Sequence, residues 1–474
     1  MSKIIIGRHE EISILKEKLR SNKSEFIAIT GRRRVGKTYL INAYFEKEMT
    51  FHFSGILNAS MQQQLQGFQF QFSNYFKKES SEKFPSNWME AFIQLSKQLE
   101  RSRKKSKKVI FIDELPWLDT HKSNFLSALE WFWNTWAIDK NILLIVCGSA
   151  TSWMINKIVN NKGGLHNRLT QRIHLLPFTL KETTDFLKYR QIKLSPYQIT
   201  QLYMAMGGIP HYLNEIKQGE SAMQAIDRIC FQKDGLLGNE FDNLYRALFK
   251  NAEIHLKIVF TLAKKLKGLS RKELIEISKL SDGGAVSEVL EELTWCNFIT
   301  VTNSFGKTKK DSIYRLTDEF SLFYLKFMHK KNNFNWLQLS NTTQWKSWSG
   351  YAFENICFKH LQQIKKSLGI SGVFCEFYAF QARGNKNNTG TQIDLIIDRN
   401  DGIINLCEIK FYDKKFSFNK ATTQVIQNKI EVFIRETKTR KTIFPTLITS
   451  FGTDKNEYTT GFIQQEISLE NLLR

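Results

Sequence analysis

The stretch Gly31-Arg32-Arg33-Arg34-Val35-Gly36-Lys37-Thr38 constrains this chain more than any other. It satisfies G-x-x-x-x-G-K-[ST] without a gap, and both flanks agree with it. Ahead of it lies Glu25-Phe26-Ile27-Ala28-Ile29-Thr30, an apolar run with the length and β-branching of a buried strand. Behind it, Tyr39-Leu40-Ile41-Asn42-Ala43-Tyr44-Phe45 continues as a helix. A glycine-rich turn between strand and helix aims several backbone N–H groups at one spot, and the helix N-terminus adds its dipole, so that spot binds polyphosphate. Lys37 is expected to reach the β- and γ-phosphates of ATP, and the Thr38 hydroxyl to ligate Mg²⁺. The expected fold is α/β with a parallel sheet.

Further acids and basic groups fall in the order such a site needs. Val109-Ile110-Phe111-Ile112-Asp113-Glu114 reads as a buried strand with two carboxylates at its C-terminal edge, where parallel α/β sheets hold their ligands. Asp113 is expected to hold the Mg²⁺, directly or through water, and Glu114 to polarise the water that attacks the γ-phosphate. Asn141–Ser149 is another buried strand; Ser149 either senses the γ-phosphate or caps the next helix. In the glycine-hinged basic segment 163–175, Arg168 is the first choice and Arg172 the second for an arginine that neutralises transition-state charge, and each also reads as a plain surface arginine. Residues 51–100 look mostly helical and carry no chemistry. The basic run 101–108 reads as a solvated connection, with a nucleic-acid contact as the alternative.

Charge widens the question beyond ATP. There are 68 Lys and Arg against 46 Asp and Glu, a net +22, which favours a polyanionic partner: nucleic acid first, an anionic membrane surface second. A lysine-rich surface kept for solubility is the plainer reading. The six cysteines are scattered without a C-x-x-C, which argues against a zinc site or a disulfide frame. No run approaches the ~18 apolar residues of a membrane span, and the first residues lack the apolar stretch of a signal peptide. A soluble, cytoplasmic protein with no membrane partner is expected.

The second half changes rhythm. Residues 254–320 show three helical stripes, a capping box at Ser270-Arg271-Lys272-Glu273, and two strands around the basic tip Gly306-Lys307-Thr308-Lys309-Lys310, the pattern of a winged helix-turn-helix. The third helix carries Glu288, Glu291 and Glu292 and no Lys or Arg, which suits major-groove entry poorly. The module therefore reads equally as a phosphate contact or as a packing element between domains. From Trp345 onward, Thr391–Asp398 and Ile403–Phe411 read as paired strands around the turn 399–402. Period-two geometry puts Glu408 and Lys410 on one face, and strand pairing can bring Asp394 beside them. Asp394 and Glu408 would hold Mg²⁺ as a Lewis acid, and Lys410 would orient water or steady the phosphorane charge. Glu354 comes from an upstream helix, and Gln424 and Gln427 from a downstream one.

Two resemblances follow from these residues. Gly7-Arg8-x-Glu10, the phosphate loop, Ile112-Asp113-Glu114, Gly148-Ser149, an arginine before a strand ending Leu176-Pro177-Phe178, and Gly207-Gly208-Ile209-Pro210 together resemble the archaeal-type ATPase family of the AAA+/STAND group, near the origin-recognition ATPases. The match covers roughly the first half of the chain. The resemblance implies that Arg8 and Pro210 lie near the nucleotide base; read from the residues alone, 207–210 is a helix–turn–helix break. Asp394, Glu408 and Lys410 resemble the three core positions of the PD-(D/E)xK nucleases. Glu354 fits that superfamily's helix carboxylate and Gln424 the glutamine of its resolvase-like members, while Ile393 stands where the proline of the name would be. The domain resembles the C-terminal one often fused to such ATPases.

The expected organisation is a P-loop ATPase core over 1–178, a helical lid over 179–240, a winged helix over 241–330, and an α/β restriction-endonuclease-like domain over 345–474. The leading expectation is an ATPase whose nucleotide state controls a Mg²⁺-dependent DNA nuclease, with the basic charge gripping DNA backbone without much sequence preference. The alternative is a STAND-like ATP switch with an inactive nuclease-like module that binds DNA or protein. A transcription regulator, resting on the winged helix alone, is the weakest reading. Assembly into a homo-oligomer stays open, as does an arginine acting in cis or from a neighbouring subunit.

Overall fold

The computed structural model describes residues 4–77, 84–102, 106–249, 251–303, 305–306, 312–329, 336–340, 342–382 and 390–473. The chain divides into two compact units: Met1–Pro177 with Ala247–Lys250, and Phe178–Arg246 with Asn251–Arg474.

The first unit is built on five parallel strands, β1 (Glu25–Thr30), β2 (Met49–Ser54), β3 (Lys108–Asp113), β4 (Ile142–Cys147) and β5 (Gln171–His174), in the order β2-β3-β4-β1-β5. Every residue of β1 and β4 is buried, as expected of central parallel strands covered on both faces. Helices α1 (His9–Arg20), α2 (Lys37–Tyr44), α3 (Met61–Phe76) and α4 (Trp88–Arg101) belong to the same unit. One core is strongly aromatic, joining Phe51, Phe53, Phe68, Phe72, Trp88 and Phe92. Residues 49–54 depart from the mostly helical expectation for this region. They form edge strand β2, with Phe51 and Phe53 in that core and the His52 ring stacked on Phe111, centroids 4.7 Å apart. A short apolar run followed directly by helix has no period long enough to separate the two states. The strand order places β4 between β1 and β3, so the loops after β1, β3 and β4 leave the same sheet edge.

In the second unit, helices Leu180–Tyr189 and Pro196–Met206 are followed by a break. Gly207 takes φ 66°, and Pro210 opens a short helix, Pro210–Leu213. Gly208 is held against the start of the unit: the Phe178 amide donates to the Gly208 carbonyl at 2.7 Å, and a Cβ on Gly208 would lie 1.9 Å from the Phe178 carbonyl oxygen. Gly208→Ala must therefore move backbone. A destabilisation of about 3 kcal/mol is expected by denaturant unfolding, against under about 0.5 kcal/mol for Gly284→Ala, where a Cβ meets nothing within 4 Å.

Next come helix Ala252–Ala263, strand β6 (Leu269–Ser270), helices Arg271–Ser278 and Gly284–Trp295, and strands β7 (Ile299–Thr302) and β8 (Ile313–Leu316), whose antiparallel sheet has the order β6-β8-β7. The expected capping box is present: Ser270 N–H donates to Glu273 Oε2 at 2.9 Å, and Glu273 N–H donates to Ser270 Oγ at 3.3 Å. The tip lysines 307–310 lie outside the described residues.

Helices Thr343–Lys359 and Leu361–Ser367 lead into a mixed sheet of β9 (Cys375–Ala382), β10 (Thr391–Arg399), β11 (Ile403–Lys410), β12 (Thr442–Thr449) and β13 (Gln465–Ser468), ordered β13-β12-β11-β10-β9. The β9–β10 and β10–β11 pairs are antiparallel; after helix Lys420–Thr437 the chain returns parallel as β12 and then β13. Gly402, with φ 83°, closes the β10–β11 turn.

This unit is tied together by buried polar contacts. Leu180 N–H donates to His360 Nε2 at 2.9 Å. Lys359 Nζ lies 2.8 and 2.9 Å from the two carboxylate oxygens of Glu319, and a Cβ on Gly207 would sit 3.1 Å from Glu319 Oε2. The Tyr197 ring stacks on Phe411 at 4.6 Å.

Candidate functional site

The phosphate loop closes by backbone conformations that its glycines permit. Gly31 takes φ 137° and packs so tightly that a Cβ would meet the Leu175 carbonyl oxygen at 2.3 Å. Arg34 (φ 70°) and Gly36 (φ 92°) are left-handed, the alternation that turns successive amides toward one concavity. A Cβ on Gly36 meets nothing within 4 Å, so this face of the loop is open. Helix α2 begins at Lys37, so its N-terminus ends the loop. Lys37 is buried, with Nζ donating to the carbonyls of Gly31 (2.8 Å) and Arg32 (2.9 Å). Arg32 and Val35 are buried, and Arg33 and Arg34 half-buried. Arg8, left-handed and buried at the start of α1, reaches the loop through Nη2, which donates to the Val35 carbonyl at 3.2 Å.

The acids meet the loop across the sheet edge. Thr38 Oγ1 donates to Asp113 Oδ2 at 2.7 Å. The other oxygen, Oδ1, accepts the Glu114 N–H at 2.9 Å and the Cys147 thiol at 2.6 Å. Burial, then the Asp113 charge, raises the Cys147 pKa well above its usual range, so it stays a thiol and a donor. Nothing in a strand's own residues says which neighbour a side chain meets, so this role of Cys147 was not legible in the sequence. A hydroxyl and a carboxylate at one point are hard oxygen donors, a set that fits Mg²⁺. Glu114 sits in left-handed backbone (φ 45°), and its Oε2 accepts the Ser149 N–H at 3.1 Å and the Ser149 hydroxyl at 2.8 Å. The following helix has Ala150 at its N-cap with no side-chain bond, so capping is not the role of Ser149. Arg168 is exposed in the turn before β5, and Arg172 on β5 is exposed with Nη2 donating to the Val159 carbonyl at 3.0 Å. Pro210 belongs to the second unit, at the first turn of its short helix.

The second unit gathers the other predicted residues. The β10–β11 register ends with Leu395 paired with Cys407, so Asp394 and Glu408 lie just beyond its last pair. There the ladder gives way: Asp394 Oδ2 accepts the Ile409 N–H at 3.1 Å. Glu408 is gripped from both sides, by Lys410 Nζ on Oε1 at 2.7 Å and by Lys429 Nζ on Oε2 at 2.6 Å. A pocket of about 390 Å³ opens over them, its wall including Tyr351, Glu354, Asp394, Glu408, Lys410 and Lys429. Helix Lys420–Thr437 turns Val425, Asn428 and Lys429 to this pocket, while Gln424 and Gln427 are exposed and Gln424 Nε2 donates to Asn428 Oδ1 at 3.1 Å. The expectation that the glutamines reach the site is thus corrected. Nothing local singled out Lys429 on a largely exposed helix.

Burial dominates the electrostatics here. It raises the Glu354 carboxyl to about 8, helped by the Asp394 charge, and raises Asp394 to about 6, helped by Glu408. Burial alone would raise Glu408 too, but Lys410 and Lys429 outweigh it and hold that carboxylate below its usual range. Among the described residues no group of three or more His, Cys, Asp or Glu forms a metal cluster. Asp394 and Glu408 are a two-carboxylate set that fits a divalent cation completing its shell with water and phosphate.

A native state with raised carboxyl pKa values keeps protons that the unfolded chain has released. The contribution of Glu354 and Asp394 to stability is then full below about pH 4, falls as pH rises toward about 8, and levels off above. Glu354→Gln is expected to flatten this slope, gaining at least about 1 kcal/mol on wild type at pH 8.5 relative to pH 5. Denaturant unfolding in a chelator at the two pH values measures it.

Comparison with known proteins agrees with the first unit's geometry. Residues 5–216 match a family described as an ATPase domain predominantly from Archaea. The uncharacterized protein MJECL04 of Methanocaldococcus jannaschii is 25% identical over 420 residues, 87% of this chain and 88% of that protein. The uncharacterized ATP-binding protein MJ0423 of the same organism is 42% identical over 45 residues, 10% of this chain and 76% of that protein. Among solved structures, the Walker-type ATPase PABY2304 of Pyrococcus abyssi shares the fold with a TM-score of 0.50 at 19% identity, covering 68% of this chain and 96% of that one. No helix among the described residues is long and apolar enough to cross a membrane.

Proposed function

We propose that this chain, which carries in residues 5–216 an ATPase domain of the family found predominantly in Archaea, uses ATP binding and hydrolysis to control a Mg²⁺-dependent DNA nuclease centre in its C-terminal region. In the ATP site, residues 31–38 wrap the polyphosphate, and Lys37 exchanges its two loop carbonyls for the β- and γ-phosphates. Thr38 and Asp113 hold Mg²⁺, which supplies charge neutralisation at the phosphates when bound. Glu114, released from Ser149, orients and deprotonates the attacking water. Arg8 borders the base, and Arg168, with Arg172 as second choice, supplies the neutralising arginine.

In the nuclease centre, Asp394 and Glu408 hold the cation, whose role is that of a Lewis acid toward the scissile phosphate. Lys410, freed from Glu408, steadies the developing phosphorane charge. The observation that carries this reading is the convergence of Asp394, Glu408 and Lys410 from two paired strands onto one pocket with Glu354. The sheet around them, an antiparallel β9–β10–β11 meander followed by a helix and parallel β12, is the order we read as restriction-endonuclease-like. Residues 252–316 we read as a winged helix. Residues 179–240 we read as the ATPase lid; the Leu180–His360 bond links them to the end of the helix bearing Glu354, a route by which lid movement is felt at the nuclease centre.

One observation favours the second reading, a STAND-like switch whose nuclease-like module is inactive and binds DNA or protein. Both oxygens of Glu408 are occupied by lysines, which compete with a cation for it. The deciding experiment is cleavage of linear, single-stranded and branched DNA by purified protein with Mg²⁺ or Mn²⁺, with and without ATP. Metal-dependent cutting that ATP modulates is the expected result; no cutting of any DNA by a protein that still binds ATP selects the switch.

A further inference from the structure

The module of β6–β8 has a helix surface ill-suited to DNA. On helix Gly284–Trp295, Glu288 and Glu291 are exposed, and Glu292 is paired with His255, Oε2 to Nε2 at 2.7 Å. Positive charge gathers in the turn Lys264-Lys265-Leu266-Lys267 between helix Ala252–Ala263 and β6, where all three lysines are exposed. Lys267 lines the same pocket as Glu354, Asp394, Glu408 and Lys410.

Two contacts hold it there. Gly268, with φ 87°, lets the turn close on β8: a Cβ would lie 2.6 Å from Arg315 Cγ and 2.7 Å from the Tyr314 carbonyl oxygen. Arg315 Nε then donates to the Lys267 carbonyl at 3.0 Å. The buried Arg315 guanidinium lies over the Phe358 ring, 5.1 Å from its centroid. Phe358 follows Glu354 by one helical turn, so Arg315 reaches the helix face that lines the pocket. Burial lowers the Arg315 pKa, and the nearby Glu354 and Asp394 carboxyls oppose that. A second, larger pocket of about 740 Å³ continues from this one, sharing Lys267 and Gln392 and lined by Arg315 and Gln381.

We propose that the β6–β8 module completes the nuclease centre: Lys267 receives a backbone phosphate of the DNA strand lying across Asp394, Glu408 and Lys410, and Arg315 anchors the module in that position. The module then serves as a wall of the substrate channel rather than as a reader of the major groove. This rests on the nuclease reading for the location of the strand, and the test is built on binding so that the two can fail separately.

Anisotropy of fluorescein-labelled single-stranded and duplex DNA, titrated with full-length protein in a chelator across a salt series, gives affinity and salt slope. Lys267→Ala is expected to weaken binding about fivefold on every sequence and to lower the salt slope by about one. Lys272→Ala, which removes an exposed lysine of the same module outside the pocket, should leave both unchanged. Arg315→Lys keeps the charge but not the planar fork, and it should lose the same slope, with no further loss when combined with Lys267→Ala. Equal effects of Lys267→Ala and Lys272→Ala, additive losses in the double variant, or a wild type that binds no DNA would each overturn the proposal. Failure of the nuclease reading shows instead as wild-type protein that binds DNA but does not cut it.

Discussion

Glu408→Gln should abolish divalent-metal-dependent DNA cleavage, a fall of about a thousandfold or more, equal to roughly 4 kcal/mol of transition-state stabilisation. The substitution keeps the size of a buried side chain, so packing changes little. What changes is charge. Lys410 and Lys429, each within 2.7 Å of Glu408, lose the carboxylate that neutralises them, and the pocket turns from a cation site into a cation-repelling one. Asp394→Ala should be equally severe, and Lys410→Ala should cost cleavage without costing metal binding. Isothermal titration with Mn²⁺, beside the cleavage assay, separates these effects. Undiminished cleavage in the Asp394 and Lys410 variants would rule out this centre.

Lys37→Ala should weaken ATP binding about a hundredfold, or about 3 kcal/mol, and remove ATP hydrolysis. Lys37 is a buried cation that donates to two carbonyls of its own loop. Phosphate oxygens are stronger, charged acceptors for the same donors, and an alanine leaves the polyphosphate without them. The loop itself is closed by Gly31, Arg34 and Gly36 rather than by Lys37, so the fold should survive. Titration with ATP in Mg²⁺ and a phosphate-release assay measure both effects. The same variant should still cut DNA but no longer respond to ATP; cleavage that still responds would detach the nuclease from this nucleotide site.

How much was legible differed between the two sites. Around the phosphate loop, strand β1, the start of α2 and the strand ending at Asp113 stand where the residues alone put them, because each element's signal is local: an apolar run, a glycine turn, a helix former. The paired strands bearing Asp394 and Glu408 were legible for the same reason, since a turn between two alternating runs sets the register. The β2 strand was hidden, being six residues long against a helical stretch of similar composition. Gln424 and Gln427 were misplaced because helix phase, not residue type, decides what faces a pocket.

The sequence by itself determined an ATPase fold's phosphate loop, the acids that follow it, and a second constellation of two carboxylates and a lysine on adjacent strands. Those depend on spacing within one or two neighbouring elements. Only the tertiary structure decided that Cys147 donates to Asp113, that Ser149 holds Glu114, that Lys429 shares Glu408 with Lys410, and that Lys267, whose carbonyl accepts from Arg315, borders the C-terminal pocket. These bonds join residues 21 to 48 positions apart. Their geometry is set by sheet order and helix phase, which no local pattern encodes.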